Sequence, residues 1–335
     1  MSPARVTFLT AFLAALGVPG LLAPLTGSGG LAHAQGFPNR PIRLVVPFPP
    51  GGATDVVSRV LALKLSGALN QQVVIDNKPG AGGTIGADTV AKAAPDGYTL
   101  LMGTSSTHSV APALNPRMPY DSFKDFAPIA QVADAPSVLV VGANFPARDA
   151  RELVAMIKAA PGRYNFGSSG IGTIPHLSAE LFKLRAGGLY VVHIPYRGTG
   201  LVIPDLVAGQ ITFLMDSIVS AQPHIRDGRV RALAVSGSRR SSSLPTVPTF
   251  AESGIAGMEI SNWFGLFAPA GTPAEVIERL NREVNTALRS ADLLERFEKT
   301  GAEPRGGTPA QFARTYRDEY EAWRTVIKRA DIKPE

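Results

Sequence analysis

The 335-residue sequence has no cysteine, which excludes disulfides and a lipid-bearing N-terminal cysteine. It has only five histidines, and neither an H-x-x-x-H nor an H-E-x-x-H spacing occurs among them. A metal centre therefore has little support, and no cofactor is expected. No G-x-x-x-x-G-K-[ST] motif occurs. After the first thirty-four or so residues no apolar run approaches the ~18 residues that suggest a membrane span. The densest basic cluster, Arg226, Arg229, Arg231, Arg239 and Arg240, lacks interleaved aromatics. Despite a pI near 9.6, a solvated face therefore explains it better than a nucleic-acid surface.

What is present suits a folded chain: 45% hydrophobic against 18% charged residues argues for one large or two modest globular domains rather than disorder. Residues 1–34 stand apart. Arg5, an apolar run from Val6 to Leu16, a Gly/Pro break and Ala32-His33-Ala34 read as a secretory signal peptide with an A-x-A cleavage site. The mature protein is then expected in the periplasm.

The organising stretch is Ile42 to Asp55. An apolar run (Ile42 to Val46), the loop Pro47-Phe48-Pro49-Pro50-Gly51-Gly52 and a helix start follow one another, with Val57, Val60, Leu61 and Leu65 at helical spacing beyond. The loop carries no charge before Asp55. It offers glycine amides and the positive end of a helix dipole, which together can seat an anion or can simply make a tight βα turn. Gly80 to Gly86 nearly imitates a dinucleotide fingerprint but places Ile85 where glycine is required. The strand Tyr98 to Gly103 ends in a hydroxyl-rich loop, Thr104 to Ser109, where Ser105 and Thr107 are favoured over His108 as ligand contacts. A second glycine-rich run, Gly167-Ser168-Ser169-Gly170-Ile171-Gly172-Thr173, feeds a helix capped by Thr173 with Pro175 at its second position. Two such uncharged loops suggest two lobes presenting matching jaws. A carboxylate between them would gain about 0.3–2 kcal/mol from each helix end, with more from charge-assisted hydrogen bonds. Micromolar binding, about −8 kcal/mol, is within reach without arginine. Strand–loop–helix alternation argues for an α/β fold with parallel sheets covered by helices. Towards the C-terminus, Phe312, Tyr316, Tyr320, Trp323 and Ile327 form a helical stripe read as packing.

Pro41-Ile42-Arg43-Leu44-Val45-Val46-Pro47-Phe48 with Gly51-Gly52 and Asp55 resembles the opening signature of the Bug (TctC-like) family, the periplasmic solute-binding subunits of tripartite tricarboxylate transporters. The resemblance continues through His193-Ile194-Pro195-Tyr196-Arg197-Gly198, Asp205 to Gln210, Asp216-Ser217, Leu244 to Thr249 and Trp263-Phe264-Gly265-Leu266, covering nearly all of 37–335. It implies a two-lobed periplasmic-binding-protein (Venus-flytrap) fold, each lobe a central, mostly parallel sheet flanked by helices. The expected segments are 1–34 signal peptide, 36–136 plus 251–335 lobe 1, and 137–250 lobe 2. It also implies a monomer that closes on a small organic acid and passes it to membrane transporter subunits.

Matched onto this chain, with the hydroxyl-loop residues added, the candidate contacts are Phe48, Gly51, Gly52, Asp55, Ser105 and Thr107 on one side. On the other they are Ser168, Ser169, Gly170, Gly172, Thr173, His176 and Asp216. Asp55 serves equally as a helix cap, and Asp216 serves equally as a partner for its own loop or as a reader of an ammonium or protonated group. A hydrolase built on Ser168, His176 and Asp216 is the weaker alternative, because Ile171 spoils G-x-S-x-G and nothing local activates the serine. A third reading has the liganded protein signalling to a membrane sensor kinase.

Overall fold

The computed structural model describes residues 36–329 and 332, so the signal peptide expected at 1–34 lies outside the described residues. The first elements are β1 (Ile42–Val46), α1 (Ala53–Leu69), β2 (Val73–Asn77), α2 (Thr84–Ala91) and β3 (Thr99–Thr104). The expected loop after β3 is instead a π-helical turn, Ser106–Val110, running into α3 (Ala111–Leu114). Next come β4 (Phe126–Gly142), α4 (Ala150–Ala159), β5 (Asn165–Ser168), α5 (Ile174–Arg185), β6 (Val192–Pro195) and α6 (Thr199–Val207). The chain continues with β7 (Phe213–Ser217), α7 (Ile218–Arg226), β8 (Val230–Val235), β9 (Ser261–Pro269), α8 (Ala274–Ala287), α9 (Ala291–Thr300), β10 (Glu303–Gly306) and α10 (Pro309–Arg329).

The strands lie in the order β2-β1-β3-β9-β4-β7-β5-β6, with β8 and β10 also pairing β4. Pairing is parallel at the two flanks, β2-β1-β3 and β6-β5-β7, and antiparallel wherever β4 or β9 takes part. The sheet is thus mixed: strands joined through helices pair parallel, while β9 returns from far along the chain to fill the space between β3 and β4. β4 is a strand of 17 residues, where the sequence predicts strand only over Val138 to Val141. Its Pro128 and Pro136 argue against a central strand. The structure accommodates Pro128 beside a shift of register against β9, between Pro128 and Ala130. The first part of β4 pairs β9 and β10, and the part from Ser137 onward pairs β7 and β8. One strand therefore serves both halves of the sheet.

The core falls into three clusters. Leu44, Leu61, Leu100, Phe264 and Leu280, all buried, belong to one beneath α1 and α8 that continues through Val140, Val202, Leu214 and Ile218 and so runs across both halves. Phe166, Phe182, Phe213 and Phe250 centre a second under α4 and α5. A third is aromatic, with Phe267 and Phe312 ring centroids 4.9 Å apart and Trp263 and Tyr316 beside them. The stripe on α10 is packing, as its spacing predicts: Phe312, Tyr316 and Trp323 are buried. Phe312 and Tyr316 enter the aromatic cluster while Trp323 joins the second-half core, so α10 spans both halves.

Candidate functional site

The loop after β1 delivers Phe48, Pro49 and Gly52 to a cleft. Gly52 occupies the N-cap position of α1 and no side chain caps that helix. First-turn amides have no intrahelical acceptor, and Ala53 and Thr54 line the cleft, so the positive end of a long helix opens into it. Thr199 and Gly200 bring the start of α6 to the same space, and Asp216 and Ser217 bring the start of α7. Ile174 and Pro175 bring α5. Four helix N-termini thus converge. Thr104, Ser106, Ser169 and Asn262 complete the lining, and among the described residues no lysine or arginine takes part.

The helix ends are not equivalent. On α5, Pro175 has no N–H, and the Ile174 amide already donates to Ser106 Oγ at 2.9 Å. The Thr173 hydroxyl does not cap its helix but donates to the Gly170 carbonyl at 2.6 Å. The donors offered by α1 and α6 are less committed than those of α5. Asn262 is buried, and its Oδ1 has no hydrogen-bond partner among the described residues, a state that native proteins rarely leave unrelieved.

Asp216 is the cleft's only ionisable lining residue among the described residues. Its Oδ1 accepts from the Ser217 amide at 2.8 Å and its Oδ2 from the Ser220 hydroxyl at 2.6 Å. Burial pushes its carboxyl up to about 6, although hydrogen bonds from Ser220, Ser217 and Thr199 pull the other way. It therefore both braces its own loop and faces the cleft. Asp55 lies behind the loop, where Oδ2 accepts from the Gly51 amide at 3.0 Å and from Arg59 Nε at 2.8 Å, and Oδ1 from Asn77 Nδ2 at 3.0 Å. Burial opposes its ionisation, but Arg59, Gly51 and Asn77 prevail and hold it below the usual carboxylate range. Asn77 also donates to the Phe48 carbonyl, so Asp55 and Asn77 together fix the loop from Phe48 to Gly51.

Of the residues singled out from the sequence, Phe48, Gly52, Ser169 and Asp216 line this cleft. Ser105 accepts from the Trp263 amide and Thr107 from the Thr104 amide; both anchor the π turn. Ser168 Oγ pairs with His193 Nε2 at 2.7 Å. His176, held neutral by burial that pulls it down to about 3, accepts the Gly172 amide on Nδ1 and stacks on His193 at 4.1 Å. Ser168, His176 and Asp216 are thus not linked as a triad. Gly170 and Gly172 line a neighbouring groove with Gly82, Tyr196 and Arg197. Thr199, Gly200, Ser217, Ser106 and Asn262 were not foreseen. The Gly198-Thr199-Gly200 run after a strand is the one local signal that could have pointed to α6.

The family model described as tripartite tricarboxylate transporter family receptor matches residues 57–332. Protein BugT of Bordetella pertussis is 41% identical over 95% of this chain and 98% of its own. Rpa4515 of R. palustris, solved with adipate, is 36% identical with a TM-score of 0.87, over 89% of this chain and 100% of that one. MatC from Rhodopseudomonas palustris, solved with bound malate, is also 36% identical, with a TM-score of 0.83 over 87% and 100%. A fold laid out in two halves, helix ends converging on a cleft lined by no basic side chain among the described residues, and relatives matched over almost their full length lead to one assignment: this chain belongs to the tripartite tricarboxylate transporter receptor family, the TctC or Bug group of periplasmic solute-binding proteins.

Proposed function

We propose that this protein captures a small organic acid between its two halves and delivers it to the membrane subunits of a tripartite tricarboxylate-type transporter. The observation that carries this reading is the convergence of four helix N-termini on a cleft to which, among the described residues, no basic side chain contributes. A carboxylate there is held by amides of α1 and α6, each helix end contributing about 0.3–2 kcal/mol and more through charge-assisted bonds. The relatives solved with adipate and with malate support the ligand class. Residues 36–136 with 251–335 act as one lobe and 137–250 as the other, moving about β4 and the 236–260 connection, so that a ligand touching both drives closure. The protein works as a monomer in the periplasm, exported by the leader at 1–34. Asp55 tunes the loop and Asp216 meets the ligand directly.

The test is a thermal-shift and calorimetry panel of dicarboxylates, tricarboxylates, aromatic acids and amino acids, with matched amides and alcohols as controls. An acid that binds only the folded state raises its melting temperature, by about 2.7 kcal/mol of added stability at a hundredfold excess over Kd. Amides and alcohols that stabilise as well as acids would refute the anion seat. A sensor-kinase role uses the same cleft and is separated by co-purification with membrane partners.

A further inference from the structure

Between Thr104 and Ser109 the chain carries five hydroxyl side chains, all at least nine-tenths buried. Four bond within the half of the sheet that contains β1 to β3. Thr104 Oγ1 accepts from the Thr107 amide and Thr107 Oγ1 from the Thr104 amide; Ser105 Oγ accepts from the Trp263 amide on β9; Ser109 donates to the Tyr316 carbonyl on α10. Ser106 alone reaches across, where its Oγ takes the Ile174 amide at the start of α5, 68 residues away. The turn presenting it is firmly held. Tyr120 donates to the Thr107 carbonyl at 2.7 Å, and the His108 ring stacks on Phe267 at 4.1 Å.

The same faces also meet by side-chain packing, Val110 and Leu114 sharing one buried cluster with Ile174 and Leu177, and by close approach at three glycines. A Cβ on Gly82 would stand 2.8 Å from the Ile171 carbonyl oxygen, and one on Gly170 would stand 3.3 Å from the Gly82 Cα. At the other end of the cleft, a Cβ on Gly198 would stand 2.5 Å from Pro49 Cδ. Glycines let the jaws touch. They give the contact no hydrogen bond of its own, and Ser106 supplies one.

We propose that Ser106 is a positioning residue that latches the closed cleft: held by the π turn, its hydroxyl takes the α5 amide when the halves meet and leaves the other helix ends to the ligand. This rests on the reading that the halves open and close over the site. In the open form both groups are hydrated. In the closed form of Ser106→Ala the Ile174 N–H would be buried without an acceptor, which lowers the closed-to-open ratio about tenfold. The latch acts after encounter, so the loss falls on ligand dissociation and leaves association unchanged.

The chain has no cysteine, so Ile85→Cys and Leu201→Cys, both at exposed positions on α2 and α6, can carry spin labels at unique sites. Distance distributions are recorded without ligand, with malate and with adipate, for the labelled parent, Ser106→Ala and Gly82→Ala. The expected result is a closed population reduced about tenfold by Ser106→Ala and further by Gly82→Ala, with circular dichroism unchanged. Equal populations in parent and Ser106→Ala under all three conditions overturn the latch. A single distance in every sample overturns the opening motion and the latch with it. Two populations that shift with Ser106→Ala but ignore both acids uphold the latch and count against the proposed ligand class.

Discussion

Substituting Asp216→Asn should flatten part of the protein's pH dependence. The carboxyl is 2% exposed, and burial raises it from 3.8 to about 6. A folded-state value above the unfolded one means that the folded form holds the proton more tightly. The associated stability is complete below pH 4 and is lost as pH rises through about 6. A displacement of about two units corresponds to roughly 3 kcal/mol between the two limits. Glu319, pushed up to about 7 by burial, adds a loss of the same sign slightly higher. His176 and His108, both pulled down to about 3 by burial, act in the opposite direction, destabilising the fold as pH falls below 6.5. The wild-type profile is therefore a composite, and the difference between wild type and Asp216→Asn isolates one group. Urea unfolding at intervals from pH 4 to 8 should show the variant gaining on wild type above pH 6 by an amount of that order. Acid affinity should fall across the same interval in wild type, as ionised Asp216 repels the bound anion, and stay level in the variant. Parallel stability curves would refute the assignment of a buried carboxyl with a raised pKa to the cleft.

Other outcomes follow from the same geometry. Because no basic side chain among the described residues lines the cleft, acid affinity should change less than about threefold between 0.05 and 0.5 M salt, whereas a paired surface arginine would be screened; titration calorimetry at several ionic strengths decides it. Asp55→Ala removes the partner of Gly51, Arg59 and Asn77. It should cost about 1–3 kcal/mol in denaturant unfolding and weaken acid binding by loosening the loop from Phe48 to Gly51. Gly265→Ala drives a methyl into the buried Phe312 ring, which must shift within its packed cluster; a loss of about 1–3 kcal/mol is expected from overpacking, and an unchanged melting temperature would contradict the contact. Phe264→Ala, in the buried core, should cost about 3–5 kcal/mol without altering ligand selectivity.

Local stretches of sequence carried much of this architecture. The run from Ile42 to Asp55 contains strand, loop and helix start in order and folds as its pattern predicts; the run from Gly167 to Pro175 feeds α5 as expected, but the Thr173 hydroxyl bonds the Gly170 carbonyl instead of capping the helix. What the sequence does not display is which hydrogen bonds those loops make once the halves meet. The π turn at Ser106–Val110 looks like any hydroxyl-rich loop until Ile174 arrives as a donor. Asn262 reaches the cleft from β9, far from every glycine loop. The length of β4 was hidden by Pro128 and Pro136; the register against β9 shifts beside Pro128, while Pro136 pairs Ser261 at the strand's switch from one half to the other. Asp216 was legible as a residue with two possible duties, and its geometry assigns it both a loop to brace and a face on the cleft.

The place of β9 also constrains when the molecule can finish folding. β3 and β4 leave the ribosome early, yet neither pairs with the other; both wait for a ribbon that begins at Ser261. A nascent chain stopped before that residue would hold two unjoined sheet fragments, with the late-made α10 still missing from both cores. Such delayed assembly is costly in folding speed, because its decisive contacts are so far apart along the chain.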